Sequence, residues 1–326
     1  MSGRVGFSLP DLSVIIVNYK TCDLLRDCLE SVYQETPYLS VEVFVVDNNS
    51  DDGSVEMVAT EFPDVKLTAS PENLGFAKGN NLALHEACGD VQILLNPDTV
   101  VTEHALQKIF AYLQENPEVG AVCPDLPQPN GTLQVTSCGY RPDFWRVFCQ
   151  YFFLTRMFPR FAPFRGMNLV AGVHHEPVPV EWLSGACLAA RREVWQKVGH
   201  LDESWFMFAE DMEWCARAMR AGYQLHYLPG VTVYHIWGAS SKGDAEAVST
   251  MWLDSVASWH KREHGKISTS AMMLVLSVGL RLRAVLHKLR SIESGDKKWL
   301  VEGNYMGRCS SRAAQLAWSG LRGGRV

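Results

Sequence analysis

Although the chain of 326 residues carries nine cysteines, it has no C-x-x-C pair. Its thiols (Cys22, Cys28, Cys88, Cys123, Cys138, Cys149, Cys187, Cys215 and Cys309) are odd in number and scattered, so neither a zinc site nor a disulfide framework is indicated. Reduced core cysteines are the expectation. Met1 to Pro10 has no apolar signal segment, and no run approaches the ~18 apolar residues of a spanning helix, so a cytoplasmic protein is expected. An excess of positive charge is missing too. Thirty Lys and Arg stand against 36 Asp and Glu, a formal net charge of −6, which argues against a nucleic-acid binder as a whole but leaves room for a local basic patch. The first strand signal, Leu12 to Val17, is followed by Asn18-Tyr19-Lys20 rather than by a Gly-rich turn. That omission disfavours both a dinucleotide fold and a phosphate-loop NTPase.

What the chain does have is an ordinary globular composition, 47% hydrophobic and 20% charged, with ample core. Val91 to Asn96 reads as a strand buried on both faces, as at the centre of a parallel sheet. Pro97 ends it and leaves Asp98 just beyond the strand's carboxyl end, where open α/β sheets bind ligands. A carboxylate there suits a hard cation shared with phosphate oxygens. Capping of a helix starting near Thr102 is the alternative role for Asp98. Val41 to Val46 is a second strand running into Asp47-Asn48-Asn49-Ser50-Asp51-Asp52-Gly53-Ser54, where Asp47 is placed to accept from a base N–H or a ribose hydroxyl. A third strand, Val65 to Thr68, leads to Asn73-Leu74-Gly75-Phe76-Ala77-Lys78-Gly79-Asn80-Asn81. Gly75 and Gly79 allow close backbone approach there, and Lys78 is either a phosphate contact or solvated surface.

A helix from about Thr102 to Glu115 and a strand at Val119 to Val122 continue the βαβ series, and residues 125 to 140 form an excursion with a turn at Asn130-Gly131. Residues 141 to 166 interleave nine aromatics with Arg141, Arg146, Arg156, Arg160 and Arg165, which fits either core packing or a membrane-facing or acceptor-facing element. The sheet is expected to resume at Val178 to Leu183. An apolar lead-in then delivers Glu210 and Asp211 to a helix start, where the helix dipole alone also favours acids. Val231 to His235 is a strand ending in a histidine, structural or metal-ligating, before a loop from Ile236 to Gly243 suited to closing over a ligand. From Met272 an apolar stripe with Arg281, Arg283, Lys288 and Arg290 beside it suits an anionic membrane, the domain surface or a second subunit.

The opening SVIIVNYK, the VVDNNSDDGS loop, NLGFAKGNN, LLNPD and the block from Trp182 to His235 resemble, in this order, the family 2 glycosyltransferases, and most closely their bacterial rhamnosyltransferase branch. The resemblance covers Leu12 to Lys242. It implies the GT-A fold: an α/β, Rossmann-like, mostly parallel central sheet flanked by helices, with a C-terminal helical appendage. It also implies inverting transfer of a sugar from a nucleoside diphosphate, with Mg²⁺ or Mn²⁺ as cofactor. Asp47 and Asn48 would hold the nucleobase and ribose, with Val17 and Tyr19 lining that pocket and Lys78 and Asn96 beside the donor. Asp98 matches the last residue of the family's Asp-x-Asp motif, His235 the histidine that completes the metal site, and Asp211 the catalytic base. Asn96 stands at the first Asp position, which implies weaker metal affinity. Trp182, Ser184, Gly185, Glu210 and Trp237 fall on the acceptor side, with Glu210 the fallback base.

Three segments are expected: 10–243 the transferase domain, 244–303 a helical extension suited to a membrane, and 304–326 a frayed tail. The partners expected are a dTDP-rhamnose donor, a glycan or polyprenyl-linked acceptor and an anionic membrane surface on the cytoplasmic side, with a homodimer left open. Envelope polysaccharide synthesis is the expected setting. A UDP-hexose donor and a non-catalytic nucleotide-sugar binder are the rival readings. A nucleotidyltransferase would need a basic, Gly-rich signature near the first strand.

Overall fold

The computed structural model describes residues 9–131, 137–169, 173–236 and 245–321, apart from the side chains of 245–249, 320 and 321. The chain divides into two compact units. The first comprises Met1–Cys138, His174–Phe206 and Glu210–Ser240, and the second Gly139–Val173, Met207–Ala209 and Ser241–Val326. Residues 139–173 therefore belong with the C-terminal helices, not with the transferase segment in which the sequence placed them.

Unit 1 starts as a strand and helix alternation. Its elements are β1 (Leu12–Asn18), α1 (Cys22–Glu35), β2 (Val41–Asp47), α2 (Ser54–Glu61), β3 (Lys66–Ala69), α3 (Gly75–Leu84) and β4 (Val91–Leu95). Next come β5 (Thr99–Val101), α4 (Ala105–Glu115) and β6 (Val119–Asp125), with β7 (Cys138–Gly139) where the units divide. The unit closes with β8 (Val178–Val180), β9 (Trp182–Leu183), β10 (Cys187–Arg191), α7 (Arg192–Val198), α8 (Glu210–Arg220) and β11 (Gln224–His235). The main sheet runs β3-β2-β1-β4-β10-β6-β11-β5, with β8 also on β11. Its first four strands are parallel. Leu12, Val14, Ile15 and Ile16 of β1 and Val91, Ile93 and Leu94 of β4 are fully buried, which is why both strands read as unbroken apolar runs.

Two departures from the expected elements have local causes. After Asp98 the chain does not enter a helix at once: β5 first pairs antiparallel with β11, Val101 opposite Val233, and Thr102 Oγ1 donates to Thr232 O at 3.1 Å. The helix begins only at Ala105, after His104 in a left-handed conformation (φ 56°). The other departure is β10, which inserts antiparallel between β4 and β6 with Cys187 opposite Leu95. Its residues, Cys187-Leu188-Ala189-Ala190, are small because both faces are covered, and small residues carry little strand signal.

Unit 2 is helical, with α5 (Phe144–Tyr151), α6 (Leu154–Met157), a 3-10 turn at Ala162–Phe164, α9 (Ala245–Ser294) and α10 (Lys297–Leu321). Gly265 bends α9 through a left-handed φ of 79°. The core of the unit joins Val147 of α5 to Met272, Met273, Leu276 and Leu280 of α9 and to Cys309, Ala313, Leu316 and Ala317 of α10. Residues beyond Gly303 are thus helical and packed, where a frayed tail was expected. Gly303 does not end a helix. A Cβ there would stand 3.1 Å from Ala284 O, so its role is to let α10 lie close against α9. Thr250–Ser294 also contains an 18-residue stretch of mean hydropathy 1.5, long and apolar enough to cross a membrane by length and composition, which corrects the expectation that no run qualifies. Half of that stretch is buried inside the protein.

Candidate active site

Chemistry-bearing side chains gather at the carboxyl ends of the strands of unit 1. At the tip of β1, Asn18 is fully buried and its Nδ2 donates to Asp47 Oδ1 at 2.8 Å, Ser50 Oγ at 3.0 Å and Ser54 Oγ at 2.9 Å. Asp47 Oδ2 accepts from the Ser50 N–H at 3.0 Å. Asp47 therefore spends much of its accepting capacity on folding the loop. Asn48 differs. Its Nδ2 donates to Gly75 O at 3.1 Å, while its Oδ1 is buried with no hydrogen-bond partner. An acceptor in that state costs about 1–3 kcal/mol unless something donates to it. Val17 and Tyr19 stand half-buried at the same end. The close approaches allowed by glycine are explained here, since a Cβ on Gly79 would lie 3.0 Å from Val17 Cγ1, and one on Gly75, with φ 77°, would lie 2.5 Å from Phe206 O. Lys78 stands exposed on α3.

At the β4 elbow, Asp98 is only 4% exposed. Its Oδ1 lies 3.2 Å from His235 Nε2, and Asn96 Nδ2 lies 3.2 Å from the same nitrogen. One ring nitrogen cannot both donate to the carboxylate and accept from the amide, so the three groups do not satisfy one another. The elbow itself is rigid: Thr99 Oγ1 donates to Asn96 O at 2.7 Å, and the Ile236 N–H donates to Asp98 O at 2.8 Å. A carboxylate oxygen and an imidazole lone pair beside a half-buried amide form a donor set that fits Mg²⁺ or Mn²⁺, with phosphate oxygens and water completing the shell. Among the described residues no cluster of three or more His, Cys, Asp and Glu that could hold a metal ion is present.

Asp211 and Glu210 open α8, whose acidic first turn and basic last turn (Arg217, Arg220) both suit the helix dipole. The helix is pinned from behind. Trp214 packs on Trp195 with ring centroids 4.2 Å apart, and Arg217 pairs with Glu213 and donates to Val198 O and His200 O. Asp211 Oδ2 accepts from the Gly185 N–H at 3.0 Å and Oδ1 from its neighbour Met212 N–H at 2.7 Å. Burial raises its carboxyl above the usual Asp range, while those hydrogen bonds pull the other way. Glu210 is more extreme. Burial, with the charge of Asp211 beside it, holds its carboxyl well above the usual Glu range, and its Oε2 is buried without a partner. Asp211 is thus oriented by the amides of Gly185 and Met212, whereas Glu210 presents a raised carboxyl with an oxygen left without a partner.

One dipeptide ties these places together. Asn96 N–H donates to Ala186 O at 3.0 Å, and the preceding residue, Gly185, holds Asp211. A Cβ on Gly185 would stand 2.8 Å from the Phe76 ring, so no other residue fits there without displacing it. Ser184 Oγ accepts from the Ala186 N–H at 3.2 Å, and Trp182 is buried in β9. Trp237 and the loop 237–243 lie outside the described residues. Asn18 and Phe76 were missed by sequence reasoning, although an Asn closing an apolar strand was a visible signal at position 18.

The family model described as "Glycosyltransferase like family 2" matches residues 10–251. An N-acetylglucosaminyl-diphospho-decaprenol L-rhamnosyltransferase of Mycobacterium tuberculosis is 29% identical over 69% of this chain and 75% of its own length. Rhamnosyltransferase WbbL of Escherichia coli is 21% identical over 68% of this chain and 82% of its own, and hexosyltransferase Agl10 of Haloferax volcanii 25% identical over 70% and 67%. Among solved structures, a mannosyltransferase of Pyrobaculum calidifontis in complex with GDP-Man and Mn²⁺ superposes with a TM-score of 0.57 at 17% identity, covering 98% of this chain and 89% of that one. GalNAc-T7 with UDP, GalNAc and Mn²⁺ gives 0.52 at 17% identity, covering 71% and 44%, so the fold is that of the GT-A enzymes. With its strand-end carboxylates in that frame, the chain belongs to glycosyltransferase family 2 and is a glycosyltransferase.

Proposed function

We propose that the enzyme transfers rhamnose from dTDP-rhamnose, with inversion, to a lipid-linked glycan acceptor at the cytoplasmic face of the membrane, in envelope polysaccharide assembly. The observation that carries this reading is the hydrogen bond from the Gly185 N–H to Asp211, because it aims a carboxylate beside the Asn96 and Asp98 elbow. Two relatives are named rhamnosyltransferases, and one of those names specifies a decaprenol-linked acceptor.

In this reading Asn48 Oδ1 receives an N–H of the base, and Asp98 and His235 hold the divalent cation. That cation supplies charge neutralisation for the leaving diphosphate. Asp211 keeps lone pairs free on an oriented carboxylate and takes the proton of the acceptor hydroxyl as that oxygen attacks the anomeric carbon. A single displacement needs no second carboxylate on the leaving side. A UDP-hexose donor is the second reading, favoured by the likeness to the Haloferax hexosyltransferase. A panel of dTDP- and UDP-sugars with a polyprenyl-diphosphate acceptor, read as release of nucleoside diphosphate, decides between them. Release from none of the panel would overturn both.

A further inference from the structure

We propose that unit 2 is a membrane-docking module whose outer helical face lies on an anionic lipid bilayer. The first observation is where apolar surface is exposed. Twenty-one large hydrophobic side chains are exposed among the described residues, and sixteen of them belong to unit 2. On α9, Ile267, Leu274, Val278, Val285, Leu289 and Ile292 recur at spacings of three, four and seven, which places them along one face of a helix. The 26 residues from Ile267 to Ile292 span about 37 Å at helical rise. Opposite that stripe, Met272, Met273, Leu276 and Leu280 are already buried in the core of the unit. One face of α9 is thus satisfied by protein and the other is left exposed among the described residues. This geometry suits a helix lying in the interface rather than one crossing it.

The second observation is charge. Unit 2 holds 19 Lys and Arg against 8 Asp and Glu, formally +11, and unit 1 holds 11 against 28, formally −17, which together give the −6 of the whole chain. From Phe144 to His175 the sequence has four arginines and no acid. Arg156, Arg160 and Arg165 stand exposed among exposed Met157, Phe158 and Phe161, a mixture that fits the headgroup layer, where aromatic rings and cations are both favoured. A second copy of this chain meeting this face with its own would bring +11 against +11. A nucleic acid would match the charge and leave the stripe wet. An anionic bilayer meets both requirements.

Vesicle co-sedimentation of the full chain tests the proposal, with phosphatidylglycerol mixed into phosphatidylcholine against pure phosphatidylcholine. Binding should require the anionic lipid and weaken with salt. R156Q and R160Q should each weaken partition about fivefold. A variant combining L274Q, V278Q, V285Q and L289Q, all exposed positions, should lose ~100-fold or more. Circular dichroism checks its fold, and the arginine variants and salt series stand if it fails to fold. Equal binding to both vesicle types, parental binding by the folded stripe variant, or a lipid-free dimer abolished by that variant would each overturn the proposal. Vesicle binding is read without substrates and donor turnover without lipid, so this proposal and the transfer reading can fail separately.

Discussion

The two units differ in the apolar surface they expose: of the twenty-one exposed large hydrophobic side chains among the described residues, five lie in unit 1 and sixteen in unit 2. Both units bury polar atoms that lack partners, Asn48 Oδ1 and Glu210 Oε2 in unit 1 and Gln150 Oε1 and Ser270 Oγ in unit 2, but those of unit 1 stand at strand and helix ends, and unit 2 adds exposed apolar side chains such as Val278 and Leu289. Each is costly in isolation: a buried acceptor without a donor loses its hydration, and an exposed leucine keeps ordering water. On the proposed readings unit 1 would receive a polar ligand and unit 2 would meet an apolar phase, and mutations should separate the two.

The largest separation is expected from Asp211→Asn. Loss of a general base costs on the order of 10²–10⁴ in rate, so sugar transfer should nearly vanish while donor affinity and vesicle binding stay within a few-fold of the parent. Transfer at the parental rate would remove the base assignment. Leu276→Ala acts on the other unit: truncating a core leucine costs roughly 2–5 kcal/mol, read in urea as a lower midpoint for the helical signal. An unchanged midpoint would mean that the α9 and α10 core is not packed as described. Asp98→Ala should weaken donor binding about tenfold or more in Mn²⁺ and little in chelator, measured by titration calorimetry. The same loss under both conditions would reduce Asp98 to a structural part of the elbow.

The smallest effect is expected from Glu210→Gln. Its carboxyl is raised in the fold above the ordinary value of 4.5, so the stabilising protonated form is fully present below that value and its contribution is lost as pH rises through the raised one. The melting temperature of the parent should therefore fall relative to the Gln variant as pH climbs from 4.5 toward neutrality. Parallel profiles would show that Glu210 is already ionised. Asp211 is shifted the same way, so the acidic limb of the transfer rate should lie above the usual Asp range of 3.8.

Legibility in the sequence followed burial pattern. The β1 and β4 strands announced themselves because burial on both faces demands unbroken apolar runs, and Pro97 marked the elbow at Asp98. β10 stayed hidden because a strand squeezed between two others uses Cys and Ala, and α10 because its packing face includes Gly303 and Ser310, residues that also signal loops. The placement of Asp98 and Asp211 at strand and helix ends could be read from flanking residues. Their connection through β10 could not, since it depends on a register that no local pattern encodes. The attachment of residues 139–173 to the C-terminal helices is likewise a long-range fact, made by contacts such as the Arg283 guanidinium over the Tyr151 and Phe153 rings.

That connection bears on how such an enzyme can change. The Gly185-Ala186 segment accepts from the Asn96 N–H with one carbonyl and donates to Asp211 with one amide hydrogen, so the proposed leaving-group corner and the proposed base would be inherited as a single part. Substitutions that move this dipeptide disturb both ends together and should be epistatic with changes at either. Asn18 and Asp47 are tied to the β2 loop through Ser50 and Ser54, and Asn48 to Gly75. On the proposed reading, changes at the β1 and β2 tips would reach the dipeptide only indirectly, by way of Asn48, Gly75 and Phe76, while the reaction's two ends would move together.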